Sequence, residues 1–159
     1  IDLSNANVTE SALRYFAYEC PVLEKITWNN HFSNTSMSGK ALKTCQQLKE
    51  IYMDDSVFTY DFGESQAIQA PAEWRNYCIF YHCIAKLERV SLKNAKCREP
   101  GFGSSPGPTQ IFPQIGLIKF VRNPPNLRWF RSDLGWFRSD FRPENVATLK
   151  AERPEATFV

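Results

Sequence analysis

Cys78, His82 and Cys83 are the densest group of side chains able to ligate a metal, with Cys97 further along the chain. Cys78 and His82 are four positions apart, so on a helix they share a face and could reach one ion. Cys83 would point elsewhere, and the sequence has no Cys-x-x-Cys pair. A buried cysteine beside a partly exposed histidine accounts for the same residues, and no metal or other cofactor is expected. Nucleophilic catalysis would need a base and an orienting group, and the only histidines are His31 and His82. The first is expected after a strand and the second within a helix, at opposite edges of the fold. The phosphate-binding Gly-x-x-x-x-Gly-Lys-Ser/Thr and His-Glu-x-x-His are both missing. Asp54 and Asp55 are adjacent rather than facing, which suits a solvated strand end better than a pair of catalytic acids. The expectation is a protein that is not an enzyme.

Arg122, Arg128, Trp129, Arg131, Trp136, Arg138 and Arg142 interleave bases with aromatics, as single-strand nucleic-acid binders do. Asp133 and Asp140 lie in the same stretch, and the whole chain carries a net charge of only +2. Nucleic acid is therefore disfavoured as the partner. No apolar run approaches the roughly 20 residues that span a bilayer, so no transmembrane segment is expected. Five cysteines are an odd number and too sparse for a disulfide scaffold; Cys20 and Cys45 sit among apolar residues as small hydrophobes do. That usage points to the cytoplasm or nucleus, although the sequons Asn7-Val8-Thr9 and Asn34-Thr35-Ser36 count for secretion.

The elements that must position these residues come from a recurring pattern. Leu23-Glu-Lys-Ile26-Thr-Trp28, Leu48-Lys-Glu-Ile51-Tyr-Met53, Leu87-Glu-Arg-Val90-Ser-Leu92 and Leu127-Arg-Trp-Phe130-Arg-Ser132 share one form. Each alternates apolar and polar residues as a half-buried strand does. Ile1-Asp2-Leu3 and the stretch from Ala156 to Val159 fit as leading and trailing half-strands. Helical spacing appears between them: Leu13, Phe16, Ala17 and Cys20, then Ala41, Leu42 and Cys45. Further helix-like segments run from Glu73 to Lys86, Pro113 to Val121 and Pro143 to Arg153, with Pro143 suited to a first helical turn. The first period, Leu23 to Leu48, is 25 residues.

Val8-Thr9-Glu10-Ser11-Ala12-Leu13, Phe16, Cys20-Pro21 and Leu23, echoed by Cys45-Gln46-Gln47-Leu48, resemble the cysteine-containing subfamily of leucine-rich repeats. The likeness covers nearly the whole chain but is close only in the first two units, and Pro124-Pro125-Asn126-Leu127 has Pro in place of Cys. The family's Asn or Cys after the strand is replaced by His31, Ser56, Ala95 and Gly135. The resemblance implies one α/β domain over residues 1–159: a right-handed solenoid of four to five units, with parallel strands on the concave side and helices on the convex side. It also implies protein recognition, since the subfamily is common in F-box substrate receptors. Because the series opens at Ile1 in the middle of a unit, further units are expected upstream.

Leu48 to Leu87 and Leu87 to Leu127 exceed the first period by 14 or 15 residues. The surplus falls after the strand, near 57–72 and 96–112, and Trp129-Phe-Arg-Ser-Asp133 recurs as Trp136-Phe-Arg-Ser-Asp140, giving a third irregularity near 134–141. Insertions of this kind collect on one face. Ile26, Trp28, Ile51, Met53, Val90, Leu92 and Phe130 should point into the core. Thr27, Asn29, Tyr52, Asp54, Ser91, Lys93, Arg131 and Asp133 should line the open strand face. With Phe58, Tyr60, Phe62, Phe102 and Trp136 from the inserts, these are the candidate protein-binding residues. The sequence thus predicts a scaffold for another protein or protein complex; the alternative is a structural accessory subunit of a larger assembly.

Overall fold

A computed structural model describes residues 1–36, 41–59, 85–98, 109–111, 118, 121–132 and 143–159. Helix α1 (Glu10–Glu19) begins where the Thr9 hydroxyl accepts the Ala12 N–H, a side-chain cap, with Glu10 placed favourably in the first turn. Its Leu13 and Ala17 are buried, and Pro21 follows the last turn. The chain then forms β1 (Lys25–Thr27), β2 (Phe32–Ser36), β3 (Glu50–Tyr52), β4 (Val57–Thr59), β5 (Arg89–Leu92) and β6 (Lys96–Arg98). It continues through β7 (Thr109–Ile111), β8 (Trp129–Ser132), helix α2 (Pro143–Glu152) and β9 (Thr157–Phe158).

β1, β3, β5, β8 and β9 pair in that order into one wholly parallel sheet, and Asp2 bridges to Thr27 at its first edge. Ile26, Ile51, Val90, Phe130 and Phe158 stand in register across it. The first four are fully buried, as are Leu48, Leu87 and Leu127. All seven residues assigned inwards from the alternation are in this core. Ser132 keeps the register opposite Leu92 and is only half-buried, the polar exception among its neighbours.

A second sheet adds to this arrangement. β2, β4 and β6 are parallel, and β7 joins β6 in the opposite sense. The passage from one sheet to the other is a single left-handed residue: Asn30 (φ 55°), Asp55 (φ 56°) and Asn94 (φ 53°), with Asn5 (φ 62°) in the equivalent place at the start. Asn and Asp tolerate this region better than any other side-chain-bearing residues, because their short polar groups bond locally. The Asn5, Asn30 and Asp55 N–H groups donate to the carbonyls of Asn29, Asp54 and Lys93 at 3.1, 3.0 and 2.9 Å.

The second sheet changes the reading of the surplus residues. Val57–Thr59 and Lys96–Arg98, expected as the first parts of insertions, are strands that continue the row begun by β2. Residues 134–141 lie outside the described residues, as does most of the other two inserts. The helix expected around Ala41, Leu42 and Cys45 is replaced by successive turns, with the Cys45 N–H bonded to the Leu42 carbonyl at 2.9 Å. β2 occupies the chain through Ser36, which leaves only a short return to Leu48; the three apolar residues are buried all the same. α2 begins at Pro143 as expected, and its Leu149 joins the core. Arg153 anchors its end, donating from Nη1 to the Val121 and Pro124 carbonyls and from Nη2 to that of Leu127.

Candidate functional site

Since alternate residues of a strand face opposite ways, the side chains flanking the buried row form the other face of the five-stranded sheet. Lys25, Glu50, Arg89 and Trp129 stand in register as one line, and Thr27, Tyr52, Ser91 and Arg131 as the next. On the β1–β3 side these groups satisfy one another. Lys25 Nζ lies 3.4 Å from Glu50 Oε2 and 4.9 Å from the centre of the Tyr52 ring, and the Tyr52 hydroxyl donates to the same carboxylate at 3.2 Å.

Aromatic groups gather across β5. The small Ser91 allows the rings of Tyr52 and Trp129 to approach to 6.4 Å between centroids, tilted by 43°. That spacing suits an attractive ring pair. Arg89 places its guanidinium 5.2 Å from the Trp129 ring centre. Arg131, two residues beyond Trp129, lies 3.8 Å from Asp54 Oδ2, a loose contact between partly exposed groups. The result is a half-buried aromatic pair flanked by two arginines on a rigid parallel sheet.

Three of the expected surface residues have structural duties. Ser4 Oγ accepts the Asn29 N–H at 3.1 Å, Asn29 Oδ1 accepts that of Asp54 at 2.9 Å, and Asp54 Oδ1 accepts that of Lys93 at 2.9 Å. This side-chain ladder ties each strand end to the next. Asn29 and Asp54 therefore face the backbone of their neighbours as much as solvent. Ser91, at 1% exposure, is buried rather than displayed, and its hydroxyl donates to Asp54 Oδ1. Thr27, Tyr52 and Arg131 are half-buried and Lys93 is exposed, as a surface role requires. Asp133, Tyr60, Phe62, Phe102 and Trp136 lie outside the described residues, and Phe58 is placed only as the β4 partner of Cys97. Sequence reasoning missed Lys25, Glu50 and Arg89, although the same alternation assigns each to the open face two positions before a residue it did select.

The candidate chemistry is dispersed. His31 is buried against Trp28, with ring centroids 4.1 Å apart, and its Nδ1 faces the Ala6 carbonyl at 3.3 Å. Burial holds its pKa below the ordinary 6.5, against an opposing pull from the Ala6 bond. The His31 backbone N–H reaches the buried Ser56 hydroxyl, which donates to the Trp28 carbonyl at 2.8 Å. Burial also pushes the Cys45 thiol up, away from the reactive thiolate. Asp54 and Asp55 diverge, the latter accepting from Asn94 Nδ2 at 2.8 Å. Arg122 is held by both carboxylate oxygens of Glu152 on α2. Cys78, His82, Cys83, Arg138 and Arg142 lie outside the described residues. Among the described residues no group of three or more His, Cys, Asp or Glu side chains is placed to hold a metal, and no helix is long and apolar enough to cross a membrane.

No family model matches the chain, and none of the curated proteins compared with it matches significantly.

Proposed function

We propose that this chain is a leucine-rich-repeat solenoid that recognises another protein through the open face of its five-stranded sheet. The Tyr52–Trp129 pair carries this reading. Two half-buried aromatic rings, flanked by arginines and fixed to parallel strands on either side of β5, are the side chains that most often anchor a protein partner. The 25-residue interval between Ile26 and Ile51, kept in strand register, supports the solenoid, as does the side-chain ladder from Ser4 to Lys93. Substrate recognition of the F-box-receptor kind goes with the sequence resemblance, and the cytoplasm or nucleus with the sparse cysteines.

The test pairs Tyr52→Ala/Trp129→Ala with a control on the outer side of α1, Tyr15→Ser/Tyr18→Ser. Partners captured from native extract are compared by quantitative mass spectrometry. Loss of the wild-type partner set by about tenfold or more in the sheet variant alone is expected, the usual scale for removing an interface anchor. Equal capture by the sheet variant and wild type would reject the reading.

A specific observation favours the second reading, an accessory subunit. Tyr15 and Tyr18 on α1 and Val22 in the turn beyond it are 69%, 71% and 74% exposed. Exposed apolar groups collected at one end of an element are commonly covered in a permanent assembly. Loss of a fixed stoichiometric complex in the α1 variant alone would select it.

A further inference from the structure

Charge is not evenly balanced over the open face. At the β1–β3 side the Lys25 ammonium, the Glu50 carboxylate and the Tyr52 hydroxyl form a closed set. Along the neighbouring edge, Lys49 pairs with Glu24 at 2.7 Å. The β5–β8 side differs. Arg89 is exposed and, among the described residues, has no carboxylate within ion-pair distance; its guanidinium is held instead over Trp129. Arg131 has only the 3.8 Å contact with Asp54, whose other oxygen already accepts from the Ser91 hydroxyl and the Lys93 backbone N–H. Lys93 is exposed at the end of the same strand as Arg89. Of these three cations only Arg131 meets a carboxylate among the described residues, and all three lie beside a half-buried aromatic pair.

We infer that the β5–β8 half of this face takes an acidic segment of a protein partner, with a carboxylate at Arg89 and Arg131 and an apolar neighbour on Tyr52 and Trp129. This rests on the binding face proposed above and names the chemistry of its ligand. Guanidinium forks match carboxylates with two parallel hydrogen bonds, and Arg89 is already ordered by its ring contact, so little freedom is lost on binding. Glu50 and Asp54 on the same face would repel a continuous phosphate backbone, whereas a peptide can set one acidic side chain beside apolar ones. An acidic peptide therefore fits better than a nucleic acid.

Fluorescence anisotropy tests this with three labelled probes: a short peptide of alternating Glu and Tyr, its Gln-for-Glu counterpart, and a single-stranded oligothymidine. The Glu peptide should bind roughly tenfold more tightly than the Gln peptide, the scale of one charge-assisted contact. That difference should vanish in Arg89→Gln/Arg131→Gln and persist in Lys150→Gln on α2. Unchanged thermal midpoints, and an Arg89→Gln single variant that leaves Asp54 its partner, separate lost binding from lost folding. Equal affinity for the two peptides, no binding of the Glu peptide, or a difference that survives the double substitution would each overturn the inference. Preference for the oligothymidine would overturn it in favour of nucleic acid. If both peptides bind equally and Tyr52→Ala/Trp129→Ala abolishes both, the face remains a binding surface and only its acidic preference fails.

Discussion

His31 shows how a residue that could do chemistry is spent on structure. It lies where the chain leaves the first sheet, its ring stacked on Trp28 and facing the Ala6 carbonyl, its backbone N–H bonded to Ser56. Because burial depresses its pKa below 6.5, the folded state favours the neutral ring. The unfolded chain then binds more protons in the interval just below 6.5, so the His31 contribution is complete above that pH and is lost as pH falls through the folded value. His31→Phe should lower stability near neutrality through the lost Ala6 contact, yet decline less on acidification. The check is the thermal midpoint of both proteins at pH 7.5 and pH 5: the wild-type drop should be larger, and parallel drops would refute the assignment. His82 is common to both proteins and cancels in the comparison.

At the scale of the elements, β1, β3, β5 and β8 were legible because each follows a leucine two residues earlier and has a two-residue alternation around a buried branched or aromatic residue. The helix α1 was legible from its spaced apolar residues. The second sheet was not, since Phe32–Ser36 and Lys96–Arg98 lack an apolar alternation and read as insertion or loop. Asn29 and Asp54 were half legible. Their outward register is correct, but a short polar side chain that bonds a neighbouring backbone N–H leaves no trace in hydrophobic periodicity. Of the candidate site, Tyr52 and Arg131 followed from position alone, while the contact between Tyr52 and Trp129 depends on the small Ser91 between them. The ladder makes a specific demand on Asp54. Asp54→Ala removes the acceptor for the Lys93 N–H and the Ser91 hydroxyl and should cost about 2 kcal/mol in chemical denaturation. Asp54→Asn keeps an acceptor oxygen, as Asn29 does one strand earlier, and should cost less than about 1 kcal/mol. Equal costs for the two variants would contradict the ladder.

For the molecule as a whole, the difficulty of a chain built from similar strands is choosing the correct neighbour among near copies. Backbone bonds place Glu24, Lys49, Glu88 and Arg128 side by side at the entry to successive strands, and their charges alternate in sign. Lys25, Glu50 and Arg89 alternate in the same way one line further in. Pairing β1 directly with β5 would set Glu24 against Glu88 and Lys25 against Arg89; pairing β3 with β8 would oppose Lys49 to Arg128. At the entry line of these four strands, skipping one sets like charges together, while the true neighbour sets opposite charges together. Exposed ion pairs contribute little to the finished fold, but a difference in sign discriminates between folding alternatives before the core closes. Lys49→Glu should accordingly change the denaturation midpoint slightly and reduce the recovery of native protein on dilution from denaturant more severely, with the deficit shrinking at high salt. Unimpaired recovery at low salt would refute it. The alternating edge is thus an ordering rule written in charge, a parity check by which each strand accepts the next and refuses the one after.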